Sequence, residues 1–252
     1  MSRRRKVPDS RVRDIMVPLR SRQVPPRPSA RHTGSGNALG GAMADGEGTT
    51  RKYELRRRAD AMNETRRRIT DAAIELHAKV GPARTTIVDI AARAGVQRHT
   101  VYRYFPTEEE LLQACSTEYW QRHPWPAIAA WQAVASPRER VIVALKDLYD
   151  FYGAVEPMLA NSLRDSDQRA SVKQVVEPFA AYLDAVTEAL TADYSPTPAD
   201  RVLFEAAIRH ATDFSTWQSL VRSIGLDVTA AAELMSSLID SAAAPVAQRP
   251  RR

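Results

Sequence analysis

The stretch from Gly81 to Leu112, GPARTTIVDIAARAGVQRHTVYRYFPTEEELL, constrains the fold more than any other part of the chain. Gly81 and Pro82 stop the helix that precedes them. Thr85 or Thr86 caps a new helix, in which Ile87, Ile90, Ala91 and Ala94 recur at i, i+3, i+4 and i+7. Gly95 supplies a tight turn for which a positive φ is expected, and the small Ala91 and Ala94 let the next helix come close. That helix sets Val96 and Val101 behind and a polar run of Arg98, His99, Thr100, Tyr102, Arg103 and Tyr104 in front. Phe105 closes the small core, Pro106 ends the helix, and Thr107 with Glu110 three residues on predicts a capping box for the next one. Two short helices joined by a glycine turn, the second apolar behind and polar in front, have the build of a helix-turn-helix. In that motif the second helix lies in the major groove of DNA.

The remainder reads as helix too. Thr50 to Val80 contains neither Gly nor Pro, and Glu54–Arg58, Glu64–Arg68 and Glu75–Lys79 are favourably oriented i,i+4 pairs. Ile69, Ala72, Ala73, Leu76 and Val80 form an apolar stripe at helical spacing. Downstream, breaks are expected at His123 to Pro126 and at Gly153 to Glu156, with a restart at Ser136 and Pro137 where Glu139 completes a second capping box. Long helices are expected over Arg169 to Thr191, Ala199 to Ile224 and Val228 to Ala242. Nothing alternates as a strand, so the predicted fold is all-α. It divides into a helix-turn-helix domain with an N-terminal helical extension over 51–105, a second all-α domain over 106–243 and a polar tail over 244–252. Residues 1–50, rich in Arg, Pro and Gly and poor in large apolar side chains, read as a disordered basic tail, with Met43 favoured as the true start.

Charge divides the chain at the same place. Residues 1–50 hold ten Lys/Arg against four Asp/Glu, residues 51–105 thirteen against six, and residues 106–252 thirteen against twenty. A positive segment gains affinity for phosphate by releasing counterions, whereas an acidic one is ill suited to lie along DNA. No run approaches the roughly 20 apolar residues of a membrane span, and no secretory apolar segment opens the chain, so a cytoplasmic protein is expected. The single cysteine, Cys115, excludes an internal disulfide framework and reads as a buried structural thiol. The five histidines are scattered, and no nucleophile motif, metal-ligand spacing or phosphate loop occurs, so no catalytic residue, metal or cofactor is expected.

The polar run has the chemistry for reading DNA. Arg98 can pair bidentately with guanine O6 and N7, and Gln97 with adenine. His99 can donate to a base acceptor or a phosphate, and Tyr102 and Tyr104 carry hydroxyls on rigid rings suited to phosphate. Thr85 and Thr86 sit at a helix start, where free N–H groups and a hydroxyl bind phosphate. Upstream, Arg56, Arg57 and Arg58 read as a solvated charged helix face.

The segments ETRRRITDAAIELHAKVG, TTIVDIAARAGV and HTVYRYFPTEEELL, within about Glu64 to Trp120, resemble the DNA-binding domain of the TetR/AcrR family of transcriptional regulators. The resemblance implies that Thr86, Arg98, His99, Thr100, Tyr102 and Tyr104 touch DNA. It also implies an all-α C-terminal domain that binds a small molecule and forms a homodimer through its last two long helices. Two positions depart from the common pattern: His77, where many relatives carry an aromatic, and Glu108, where many carry lysine. Glutamate suits a helix N-terminus but repels phosphate, so Arg103 or the upstream basic helix is expected to compensate. By the same resemblance, an extension such as Arg56–Arg58 reaches the neighbouring minor groove, where arginine is favoured.

In the acidic half, three of the four tryptophans fall near Pro124–Pro126. An aromatic helix junction there suggests a pocket for an apolar or aromatic small-molecule effector, with Trp120, Trp125, Trp131, Tyr149, Tyr152, Phe179 and Tyr182 as candidates. A long stripe through Val202, Ala206, Trp217 and Leu220, with Leu234 on the small-residue-rich last helix, is the expected homodimer surface. The favoured reading is a ligand-responsive repressor that binds a palindromic double-stranded operator as a homodimer. A non-specific architectural DNA-binding protein and an all-α enzyme with an incidental helix-turn-helix are the competing classes.

Overall fold

The computed structural model describes residues 45–192, 194 and 198–243. The basic tail up to residue 44, the start at Met43 and the polar tail 244–252 lie outside them. The described residues form helices and connecting turns with no strand among them, an all-α fold. In chain order the helices are α1 (Asp45–Val80), α2 (Ile87–Ala94), α3 (Arg98–Tyr104), α4 (Glu108–Arg122), α5 (Ile128–Gln132), α6 (Pro137–Ser166), α7 (Ala170–Thr191), α8 (Pro198–Thr212), α9 (Phe214–Trp217) and α10 (Val228–Ala243).

Helix α1 is one unbroken element of 36 residues, about 54 Å long at 1.5 Å per residue. It begins at Asp45, ahead of the expected boundary at Arg51, because propagation from an established helix is far easier than nucleation and carries it through Gly46 and Gly48. The helix-turn-helix has the expected chemistry. Thr86 is the N-cap of α2 and forms a full capping box with Asp89, and Gly95 ends α2 with φ 65°. Thr107 Oγ1 accepts from the Glu110 N–H, and Ser136 Oγ from that of Glu139 with Pro137 in the first turn of α6.

Two buried clusters organise the molecule. The smaller joins Ile69 and Ala73 of α1, Ile87 and Ile90 of α2, Val101 and Phe105 at α3, and Leu111 and Cys115 of α4. The larger gathers Tyr119, Trp131, the α6 residues Leu145, Leu148, Tyr149, Tyr152, Val155 and Leu159, Phe179, Phe204, Trp217, Met235 and Ile239. Helix α4 serves both, with Leu111 and Cys115 in one cluster and Tyr119 in the other.

Two expected boundaries are corrected. The break at Gly153 to Glu156 does not occur: α6 runs through Gly153 and Pro157 to Ser166. Pro157 lacks the N–H that would bond the Gly153 carbonyl, but Tyr152, Val155, Met158 and Leu159 are all buried around it, and tertiary packing outweighs one lost rung. The helix expected from Ala199 to Ile224 is divided at Asp213, whose carboxylate caps α9 by accepting the Ser215 N–H at 2.7 Å. After Trp217 the chain widens into a π-helical turn, Gln218–Ser223, and leaves through Gly225 at φ 85°. The short helix α5 has no counterpart among the expected elements.

Candidate nucleic-acid interface

Helix α3 is held from behind and open in front. Val101 is fully buried and Phe105 nearly so. Gln97, Arg98, His99 and Arg103 are exposed, and Thr100, Tyr102 and Tyr104 are half-buried at the edges of the same surface. Gln97 occupies the N-cap of α3 but spends no side-chain bond there, which leaves its amide free. The Arg98 guanidinium lies 5.5 Å from the Tyr102 ring centroid and donates to its hydroxyl at 3.4 Å. This holds the arginine on a rigid ring one helical turn away. Arg103 lies over Tyr104 in the same way, 5.3 Å from the centroid.

The two threonines differ. Thr86 is exposed, but its hydroxyl is engaged with Asp89, donating to Oδ2 at 2.6 Å and accepting from the backbone N–H at 3.2 Å. Thr85 is half-buried and donates to the Gly81 carbonyl at 2.8 Å, so it fastens the loop. Glu108 is exposed and lies 3.9 Å from Arg169 at the start of α7, a carboxylate paired within the chain.

Arg66 is a positioning residue that sequence reasoning missed. Its Nη1 donates to the Tyr104 carbonyl at 3.2 Å, and its guanidinium sits 4.3 Å from the Phe105 ring centroid. A cation at the C-terminal end of α3 meets the negative end of the helix dipole and an orphan carbonyl together. One signal could have found it: a charged residue in the apolar register between Met62 and Ile69.

A second set of fasteners joins the reading head to α6. Asn161 donates to the carbonyls of His77 at 3.2 Å and Ala78 at 2.7 Å, and Arg164 Nη2 to that of Val80 at 3.1 Å. The Ala78 and Val80 carbonyls are ones that the end of α1 leaves without helical partners, while the His77 carbonyl also accepts the Gly81 N–H at 3.0 Å. Asp165, whose side chain is 1% exposed, accepts from the Ala83 N–H at 2.9 Å and from Arg164 Nε at 2.8 Å. Gly81, at φ 96°, passes so close that a Cβ there would collide with the Arg164 guanidinium and the Asp165 carboxylate. Beside this junction His77 is buried, its Nδ1 3.4 Å from Cys115 Sγ. Burial lowers the His77 pKa to about 4 against an opposing pull from Asp165. Burial also pushes the Cys115 thiol up to about 12, which suits a structural thiol and not a nucleophile.

The expected effector residues separate into two groups. Trp120 and Phe179 stack with centroids 6.2 Å apart and border a narrow apolar cavity shared with His77, Cys115, Tyr119 and Met158. Trp125 packs edge-on to Trp120 beside a wider groove between α1, α4 and α7. The other four fasten the core within the chain. Trp131 is buried and donates Nε1 to Asp147 at 2.7 Å. Tyr149 and Tyr152 donate to the carbonyls of Ala211 at 2.7 Å and Thr212 at 2.6 Å, groups freed by the break at Asp213. Tyr182 donates to the Pro126 carbonyl at 2.8 Å.

The residues of the expected dimer surface also divide. Trp217 and Leu220 are 1% and 9% exposed, spent within the core of a single chain beside Tyr152 and Phe214. Val202 at 76% and Leu234 at 42% are exposed, as is Ala206. Leu203 and Leu238, which the sequence did not single out, extend that bare apolar surface over α8 and α10.

Comparison with known proteins bears on the head. The N-terminal domain model of the "Bacterial regulatory proteins, tetR family" matches residues 69–115. HTH-type transcriptional regulator TtgR of Pseudomonas putida is 41% identical over 69 residues, 27% of this chain and 33% of that protein. HTH-type transcriptional regulator BetI of Rhizobium meliloti is 33% identical over 81 residues, 32% of this chain and 40% of that protein. The chain thus spans about a third of the length of these curated relatives. A TetR-like transcriptional regulator from Rhodococcus sp. RHA1 has the same fold, with a TM-score of 0.51 at 24% identity over 69% of this chain and 93% of that one. The sequence match runs from the middle of α1 to the first half of α4, the helices around α2 and α3, so this part of the chain is similar to the N-terminal domain of tetR-family bacterial regulatory proteins.

Proposed function

We propose that the protein is a sequence-specific DNA-binding regulator of transcription, a ligand-responsive repressor that reads a palindromic operator as a homodimer in the cytoplasm. The observation that carries this reading is α3: a helix anchored by Val101 and Phe105, with Gln97, Arg98, His99 and Arg103 turned outward. In this reading Arg98 and Gln97 address base edges, and His99, Thr100, Tyr102, Arg103 and Tyr104 address bases or phosphates. Thr86 and the N–H groups at the start of α2 take a phosphate, and Thr85 holds their loop. No step of the reading is catalytic.

The exposed apolar surface of α8 and α10 supports pairing of two copies through Val202, Ala206 and Leu234. One three-helix head covers little DNA, and a twofold pair reads two half-sites. The apolar lining of the narrow cavity beside Trp120 and Phe179 supports an apolar or aromatic effector that would have to widen it. Its walls come from α1, α4, α6 and α7, so an effector that wedged these helices apart would favour a conformation whose heads no longer match the operator spacing.

Selection of bound duplexes from random sequence with the purified protein tests the reading, and a palindromic consensus is expected. Arg98→Ala should relax preference at one position of each half-site at a cost of about 1–3 kcal/mol. Salt-dependent binding without any preferred sequence would instead assign the protein to architectural DNA binding.

A further inference from the structure

We propose that Asn161, Arg164 and Asp165 of α6 are positioning residues that fix the angle of the reading head and so set the distance between half-sites that a pair of copies accepts. This rests on the paired-head reading above and assigns its spacing to named residues of the second domain.

The contacts of α6 carry the inference. Asn161 is followed by Arg164 and Asp165 three and four residues on, so the three share one side of its last two turns. Their partners on the head are backbone groups: the carbonyls of His77, Ala78 and Val80 and the N–H of Ala83. Backbone anchorage fixes where the chain lies, not how one side chain turns. The four groups span the end of α1 and the start of the loop to α2, the joint from which the helix-turn-helix hangs.

The three residues also hold one another. Arg164 donates Nη1 to Asn161 Oδ1 at 2.7 Å and Nε to Asp165 Oδ1 at 2.8 Å. The planar fork is thereby set before Nη2 reaches the Val80 carbonyl. Asp165 is buried, so opening the latch leaves a carboxylate without its partners in a dry site. Gly81, at φ 96°, admits the close approach. The remaining ties are of another kind. Ile74 and Ala78 of α1 and Tyr119 of α4 meet the larger core through apolar contact, which is non-directional. The Glu108–Arg169 pair is exposed and long at 3.9 Å, and such pairs contribute little. Hydrogen bonds constrain both distance and angle, so the latch is what sets the tilt of the head. In a twofold pair each tilt counts twice, once per copy.

The test compares the full chain with Asn161→Asp and Asn161→Ala. The first is isosteric, keeps an acceptor for Arg164 and removes both donations to α1; the second removes them without adding charge, and decides alone if the carboxylate unfolds the chain. Affinity is measured on a duplex with one selected half-site, with two at the selected spacing, and with one base pair inserted between the two. The insertion moves the second half-site by about 3.4 Å and turns it by about 34°. The parent should lose about tenfold or more on insertion, and the variants less than about threefold. At the selected spacing the variants should bind roughly tenfold more weakly than the parent, with single-half-site affinity within about twofold of it. A role in stability alone would lower all three affinities by one factor, and that result would overturn the proposal. A parent-like penalty for the insertion in the variants would overturn it too. A parent indifferent to spacing would sink the paired-head reading instead, and hydrogen exchange would then decide the latch. Single-half-site DNA should slow exchange of the α6 amides around Asp165 in the parent and not in the variants; equal slowing in both would overturn the proposal.

Discussion

The Ala83 N–H donates to Asp165 Oδ2 at 2.9 Å, tying the loop ahead of the helix-turn-helix to the last turn of α6. The same carboxylate holds Arg164, which in turn satisfies the Val80 carbonyl, and Gly81 is the residue that lets these groups approach. Left-handed backbone costs an L-residue about 1–2 kcal/mol, and displacing Asp165 strands an N–H at about 1–3 kcal/mol. Gly81→Ala is expected to lower the unfolding free energy by about 2–4 kcal/mol in urea denaturation. A loss below about 1 kcal/mol would show that the loop yields without cost.

His77 gives the junction a pH dependence whose sign is set by its burial. The folded-state pKa is about 4 against an ordinary 6.5, so between those values the unfolded chain binds the extra proton. The stability His77 contributes is complete above pH 6.5 and is lost as pH falls toward 4. The shift corresponds to about 3 kcal/mol across that window. His77→Phe should flatten this part of the stability profile, measured by urea denaturation at a series of pH values. An equally steep profile in the variant would place the acid sensitivity elsewhere.

The reading head is legible in the sequence because its determinants are local. Thr86 caps α2, Gly95 turns where its φ allows, and Val101 sits one helical repeat behind the exposed Arg98. The second domain is legible only as a set of helices. Whether Trp217 and Leu220 face a second copy or their own core depends on how α6, α8 and α10 cross, which no short-range pattern encodes. Tyr149 and Tyr152 read as pocket aromatics until Asp213 is seen to divide the helix and free the carbonyls they bind. Asn161, Arg164 and Asp165 act on residues more than 80 positions away and leave no trace in sequence spacing.

Arg66 does its work at the end of α3, and its removal separates support from reading. Arg66→Ala loses one hydrogen bond to Tyr104 and the contact with Phe105. The site is exposed, so the expected cost in stability is about 1 kcal/mol. DNA affinity should fall across all sequences with the selected consensus unchanged, because Arg66 orients the helix without reaching a base. A shifted consensus in repeat selection would make Arg66 a base contact.

The bare surface of α8 and α10 predicts how two copies meet. Leu234→Asp and Val202→Asp each put a charge on exposed apolar positions, where a lone chain tolerates it. Both should yield monomers by light scattering with thermal unfolding close to the parent, and both should lose tight binding to a two-half-site duplex. Leu220→Asp behaves differently: Leu220 is 9% exposed within its own chain, and a carboxylate there lacks water and a partner. It should destabilise the fold by several kcal/mol and not merely dissociate it. Monomers from Leu220→Asp that melt like the parent, together with intact dimers from Leu234→Asp, would move the interface from this surface to the neighbourhood of Leu220.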